Sequence, residues 1–451
     1  MYSITDTGGD DISDRRSQLE DLVQQTLAQA AQAGASAAQA QVGLSAGLSV
    51  TVRLGEVESI EHQRDRGLGV TVYFGQCKGS ASTSDWSPQA VRDTVEAACR
   101  IARYTQPDPA AGLADPESLA RTLPELDLYH PWALSPEQAI ELARECEAAG
   151  RAEPRITNSE GASVHSSRGL SVYGNSHGFI GTRLGTNHSL SVSFIAGQDD
   201  EMQRDHWYTV ARVASQLQAA AEVGRHAAER AVRKLGASRL STRQAPVLFS
   251  PEVARGLIGH LVSAVSGGSL YRKASFLLDA MGEPIFPAHV YIHEQPHLRG
   301  ALGSAAFDAE GVATAAHDLV SGGILQGYVL DSYSARRLGL TTTGNAGGVH
   351  NLTVEPGSQD FLALLKQMDT GLVVTELMGQ GINLVTGDYS RGASGFWVQG
   401  GEIVQPVQEI TIAGNLRQMF AQLLAVGADI DIRSNIRCGS LLIESMTIAG
   451  S

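Results

Sequence analysis

The sequence predicts an α+β protein: a two-lobed N-terminal α/β region followed by a β-rich, glycine-rich C-terminal domain. Three observations carry this. A length of 451 residues corresponds to two or three domains at about 150 residues each. The first half alternates capped helical periodicities with period-2 segments. Glycine is 49 of 451 residues, near 11% where about 7% is usual, and the excess points to turns, bulges and close backbone approaches in β structure.

The elements follow in order. Residues 1–14 are polar and acidic and are expected to be disordered. Arg15 to Ala33 places Leu19, Leu22, Val23, Leu27 and Ala30 on one helical face, and Gly34 supplies a left-handed stop. Leu48, Val50, Val52 and Leu54 alternate, as do Val70, Val72 and Phe74 beyond a turn-rich Gln63–Gly69, giving a strand pair. Ser87-Pro88 reads as N-cap and N1 of a helix through Val91, Val95, Ala98 and Ile101. Residues 15–105 thus form a first α-β-β-α lobe, and the proline-bearing 106–134 a connector.

The second lobe, 135–235, opens with Ser135-Pro136-Glu137-Gln138, in which Gln138 at N3 completes a capping box. Gly161–Gln198 reads as a meander of short strands punctuated by glycines, and a long helix from Ala214 to Leu235 closes the lobe. No residue-level repeat relates the two lobes. A polar linker, 236–244, leads into the C-terminal domain, 245–451. That domain opens with a helix after Ser250-Pro251, carrying Val253, Leu257, His260, Leu261 and Val265. Two further helices are expected there, near Phe361–Met368 and Leu416–Val426.

Composition narrows the function. With 34 Lys+Arg against 48 Asp+Glu the net charge is −14, and no basic run appears, which argues against nucleic acid as a partner. No apolar run approaches the ~18 residues of a membrane span, and the N-terminus has no export-type apolar region. Cys77, Cys99, Cys146 and Cys438 are far apart and form no CxxC pair. A cytoplasmic location is therefore the expectation.

His293-Glu294-Gln295-Pro296-His297 matches H-E-x-x-H in letters only. That motif needs a helix to bring both histidines to one face, and Pro296 would cost about 3 kcal/mol inside it. The preceding Val290-Tyr291-Ile292 reads as a strand instead. His260 lies on a true helix, but Arg255 and Gly256 stand one turn before it, and an arginine has no lone pair to give a cation. Cys438 follows Arg437, which could favour a thiolate, although a small buried hydrophobe is the commoner fate of such a residue. The glycine runs at Gly344–Gly348 and Gly379–Gly381 lack the context of a nucleotide-binding loop.

Several segments nevertheless form a specific pattern: Gly259-His260-Leu261 through Gly267-Gly268-Ser269-Leu270-Tyr271-Arg272-Lys273; Ser332 to Leu340; Gly344 to Asn351; Gly371 to Gly381; Thr386 to Gly392; and Ile410 to Leu416. In these the chain resembles the PmbA (TldE) branch of the TldD/PmbA family, and the resemblance covers most of its length. It implies a cytoplasmic, two-subunit zinc metallopeptidase that degrades or trims unfolded peptides. The TldD subunit of that family carries HExxxH and a late cysteine as zinc site. Laid on this chain, the second histidine falls on His260 and the cysteine on Cys438, but the first histidine falls on Arg255 and the glutamate on Gly256. The resemblance therefore implies a subunit with no catalytic or metal residues of its own, zinc being expected in a TldD-like partner with which it forms a heterodimer. Two other readings stay open: an independently active hydrolase using His260, Cys438 and an acid such as Glu376, and a homodimeric peptide-binding protein.

Overall fold

The computed structural model describes residues 11–450, so most of the segment expected to be disordered lies outside the described residues. Asp11 accepts from the Ser13 amide and opens a short 3-10 turn, Ile12–Arg15. The N-terminal part contains α1 (Arg16–Gln32), β1 (Ala37–Arg53), β2 (Glu56–Phe74), β3 (Cys77–Thr83), α2 (Pro88–Tyr104), α3 (Pro136–Arg151), β4 (Ile156–Asn175), β5 (Ile180–Ala196), β6 (Gln203–Ala211) and α4 (Ala220–Arg233). Its strands form one antiparallel sheet, ordered β3-β2-β1-β4-β5-β6, that runs through both units; each is helix, three strands, helix, so the first lobe is not the expected α-β-β-α but gains β3, where Cys77–Thr83 folds back to pair with β2. Even-numbered residues (Ala40, Val42, Val50 and Val52 on β1; Val70 and Val72 on β2; Val164 and Val172 on β4; Val192 and Phe194 on β5) are buried beneath the four helices. The odd-numbered face carries mostly Gln, Ser, Thr and Gly, and is covered where Tyr173 and Gly181 meet Phe179 and Phe307.

The helix starts follow the sequence. Ser87 accepts from the Ala90 amide, and Ser135 and Gln138 close a reciprocal capping box. Gly224 lets α3 and α4 touch, since a Cβ there would sit 1.9 Å from the Cys146 carbonyl oxygen.

Several boundaries differ from expectation, each for a physical reason. The β1–β2 turn is Leu54-Gly55, both at positive φ, and Gln63–Gly69 lies mid-strand opposite Gln41–Gly47. Its glycines sit on the open face, where no side chain is needed, so they do not break the ladder. The same holds for Gly169 opposite Gly185, and the expected meander is two long strands. The fourth helix begins six residues later than expected: the Gln218 amide donates to Thr209 Oγ1, and Leu217 and Ala219 remain extended.

The C-terminal part contains β7 (Arg243–Phe249), α5 (Pro251–Ala264), α6 (Gly267–Tyr271), β8 (Ile292–Glu294), β9 (His317–Ser321), β10 (Ile324–Leu325), α7 (Ser332–Leu338), β11 (Leu352–Val354), α8 (Phe361–Met368), β12 (Gly371–Asn383), β13 (Asp388–Gln399), β14 (Glu402–Asn415), α9 (Leu416–Ala421), β15 (Leu423–Val426), β16 (Ile436–Arg437) and β17 (Leu441–Ala449). The last expected helix stops at Ala421 because Leu423–Val426 is drawn into pairing with β17. The expected linker is tied down, with Leu240 buried and Ser238 bonded to β14.

A small sheet runs β10-β9-β8-β11-β16, and the larger runs β14-β13-β12-β7-β17-β15, with β14 also pairing β17 so that five strands close a ring. Helix α5 packs against Val247, Phe249, Leu372, Val374 and Ile443 on one face of the larger sheet. Helix α8 covers Leu248, Val373, Phe396 and Leu442 on the other.

Candidate functional site

Helix α5 carries three of the four positions that the resemblance singles out, and the segment 431–438 that packs against it carries the fourth. Ser250-Pro251 starts the helix, and Ala254, Leu257, Ile258, Leu261 and Ala264 bury one face. That leaves Arg255 on a flank facing Tyr208 of the N-terminal sheet and Asp431 of the 429–433 loop.

Arg255 donates to Tyr208 Oη at 3.1 Å and lies 3.7 Å from Asp431 Oδ2. In front of Gly256 nothing lies within 4 Å of where a Cβ would be. His260 sits edge-on to Tyr389, ring centroids 6.0 Å apart. Its pKa is pushed down by burial and by the Arg391 guanidinium, so the imidazole is held neutral.

Cys438 is fully buried and its thiol contacts the Gly439 carbonyl oxygen at 3.1 Å. Its pKa is driven strongly upward by burial, then by Asp429 and Asp431. Arg437 does not produce a thiolate: its own charge is disfavoured by burial, and Cys438 belongs to the apolar core around α5.

Around Arg255 the structure assembles a charge network that sequence spacing does not reveal. Asp431 holds Arg433 through two bonds of 2.9 and 3.1 Å, and Arg433 donates to the Tyr208 carbonyl at 3.0 Å while stacking on Trp207 and Tyr208. Arg433 and Arg230 each approach Glu252 at 3.5 Å. Asp205 takes Arg230 at 3.2 Å and Lys234 at 3.0 Å. Burial alone would raise Asp205 and Asp431, but Arg230 and Lys234 for the first, and Arg433 then Arg255 for the second, hold both below the ordinary carboxylate range. This network joins the N-terminal sheet to the C-terminal domain beside a cleft of about 590 Å³. The one sequence signal for it was the alternation Asp429-Ile-Asp431-Ile-Arg433, which puts two acids and a base on one side of an extended segment.

The remaining sequence candidates lie elsewhere. Glu376, on β12, accepts from Lys234 Nζ at 2.7 Å and Ser394 Oγ at 3.2 Å and so belongs to the same interdomain network. His293 and Glu294 lie on strand β8: His293 Nδ1 meets Asp318 at 2.6 Å, and Glu294 is buried against Asn345 and His350. His297 contacts Thr314 Oγ1, so the two histidines share no helical face. On the open face of the N-terminal sheet a mixed basin of about 1010 Å³ is lined by Gly43, Ser45, Gly169, Ser171 and Arg183 and by apolar Leu44, Leu184 and Phe307.

Comparison with known proteins decides the family. Residues 242–450 match the PmbA/TldA metallopeptidase C-terminal domain, 129–235 the central domain and 44–102 domain 1. The chain is 52% identical to the metalloprotease PmbA of Escherichia coli O157:H7 over 437 residues, covering 97% of each. The chain belongs to the TldD/PmbA family, in its PmbA/TldE branch. A metalloprotease PmbA homolog of Haemophilus influenzae is 51% identical over 424 residues, 94% of each chain. A crystal structure of a candidate modulator of DNA gyrase from Bacteroides thetaiotaomicron superposes with a TM-score of 0.92 at 28% identity, covering 97% of this chain and 100% of that one.

Members of this family are metallopeptidases by name, which raises whether the α5 positions suit a metal. They do not. Arg255 offers only donors and is paired to Asp431, Gly256 has no side chain, and the Cys438 thiol is sealed and held protonated. Among the described residues no group of three His, Cys, Asp or Glu is placed to hold a metal ion.

Proposed function

We propose that this chain is the non-catalytic, peptide-holding subunit of a heteromeric TldD/PmbA-family metallopeptidase, cytoplasmic, paired with a TldD-like subunit that brings the zinc. The observation that carries this is Arg255: where zinc chemistry would need an imidazole, the chain has a guanidinium hydrogen-bonded to Tyr208 and ion-paired with Asp431. His260 alone, neutral and beside Tyr389, supplies one ligand where a catalytic zinc takes three. The basin on the N-terminal sheet offers room for an extended peptide, and its glycines permit close backbone approach. Alone, the chain would form at most a homodimer without peptidase activity.

The test uses both chains. Mixed with a TldD-like subunit, this protein is expected to co-elute as a heterodimer that cleaves an unfolded peptide, with His260→Ala and Cys438→Ala tested in this chain. Both substitutions should leave the rate of the pair unchanged. A rate lost with His260→Ala while the heterodimer still forms would favour the independent hydrolase, and self-association with no heterodimer at micromolar concentration the homodimeric peptide binder.

A further inference from the structure

The cleft beside the charge network ends on a helix start with unpartnered polar groups. Its floor is the start of α5, a 14-residue helix whose N-terminal end is uncapped. Pro251 has no N–H, Val253 and Ala254 turn their amides back to the Ser250 carbonyl at 3.0 and 2.8 Å, and the Glu252 amide has no partner among the described residues. Ser250 stands at the cap position, is 7% exposed, and lines the cleft, yet its hydroxyl neither caps the helix nor finds any other partner. Thr375, the next residue on that face of β12 after Val373, also lines the cleft with its hydroxyl unpartnered. Two idle hydroxyls at a positive helix end are a cost unless something accepts from them.

The cleft's lining is not positive overall, four carboxylates standing with three arginines, but one arginine is left without an acid. The carboxylates along the cleft are engaged: Asp205 by Arg230 and Lys234, Glu252 by Arg230 and Arg433, Asp431 by Arg433 and Arg255, and Asp429 by the Ser440 amide and hydroxyl at 2.9 and 2.6 Å. Among the cleft's cations only Arg233 has no carboxylate among the described residues; its guanidinium lies over the Phe396 ring, 5.0 Å from the centroid. Phe396, Val373, Phe361 and Ile403 continue the apolar α8 core into the cleft wall.

We infer that this cleft binds the free C-terminal carboxylate of a peptide, with Arg233, Ser250 and Thr375 holding the carboxylate and the apolar wall taking the last side chain. A volume of about 590 Å³ suits one or two residues. The inference deepens the peptide-holding reading and rests on it: a peptide whose terminus is fixed here enters the assembly in one direction.

The test measures fluorescence anisotropy of a labelled, unstructured hexapeptide ending in Leu, as free acid and as C-terminal amide, titrated with the full chain. The free acid is expected to bind about tenfold more tightly than the amide. Arg233→Gln should erase most of that difference, and Ser250→Ala should reduce acid binding about threefold or more, each leaving the amide's affinity unchanged. N-acetyl-leucine should displace the acid peptide at concentrations where inorganic phosphate does not. Equal binding of acid and amide overturns the inference and leaves peptide holding intact, as does an acid preference that survives Arg233→Gln. Equal displacement by phosphate overturns it too, reducing the cleft to a general anion site. Binding of neither peptide overturns it, while the peptide-holding reading is judged separately by cleavage in the heterodimer.

Discussion

Helices α3 and α5 begin with the same tripeptide, Ser-Pro-Glu, and use it in opposite ways. In α3, Ser135 takes the Gln138 amide and the Gln138 side chain returns to the Ser135 amide, so the first turn is satisfied by its own residues. In α5, Val253 stands at the N3 position and cannot reach back, and Ser250 is left buried with an idle hydroxyl. Helix α2, opening on Ser87-Pro88, is capped by Ser87 alone, which accepts from the Ala90 amide although Ala90 at N3 cannot reach back. Identical cap letters therefore do not make identical caps, and an apolar N3 residue does not explain the idle Ser250: what the helix end faces decides. The α5 start faces a cleft and a charge network, and local stability there has been left to distant residues.

If that contrast is right, the largest effect comes from cutting the network at α5. Arg433→Ala leaves Asp431 buried and removes stacking on Trp207, and should lower unfolding free energy by about 3 kcal/mol or more in urea titrations. A loss within that of an ordinary surface substitution would mean the network does not support α5.

Acid should reveal the same asymmetry. Asp205 and Asp431 have folded pKa values below the unfolded value of about 3.9, so the stability they contribute is complete above that pH and is lost as pH falls through the lower folded values. Urea midpoints between pH 5 and pH 2.5 should fall steeply, and Asp431→Asn, less stable at pH 7, should fall less. An unchanged acid slope in that variant would assign the dependence elsewhere.

The caps themselves give smaller and divergent numbers. Ser135→Ala should cost about 1 kcal/mol, whereas Ser250→Ala, which breaks no hydrogen bond, should change stability by less than about 0.5 kcal/mol. Equal costs would erase the contrast. Smallest of the gains, Gly256→Ala fills open space in a helix interior and should stabilise by about 0.5–1 kcal/mol, since no packing requires glycine there.

What the sequence made legible were features set by neighbours in the chain. The caps at Ser87 and Ser135, the limits of α8 at Phe361 and Met368, and the Ser250-Pro251 start all follow from local chemistry. The errors arose where long-range pairing overrode it: Gly67 and Gly69 paired into β1 opposite Gly43 and Gln41, and Leu423–Val426 captured by β17. Arg255, Gly256, His260 and Cys438 were legible only through the family resemblance. The cleft was not, because its residues come from α4, the β7–α5 junction, β12, β13 and the 429–433 loop, segments that only the fold brings together. Nor could the sequence tell whether Arg437 would activate Cys438, a matter of burial rather than adjacency.

The central claim is that this chain supplies peptide holding and no metal chemistry. Metal content by mass spectrometry, measured on the chain purified alone and in complex with a TldD-like subunit, with cleavage of an unfolded peptide followed in both samples, tests it most directly. The account predicts far less than one zinc per chain and no cleavage for the protein alone, with about one zinc per heterodimer and cleavage in the pair. One zinc per chain with cleavage in the protein alone would contradict it.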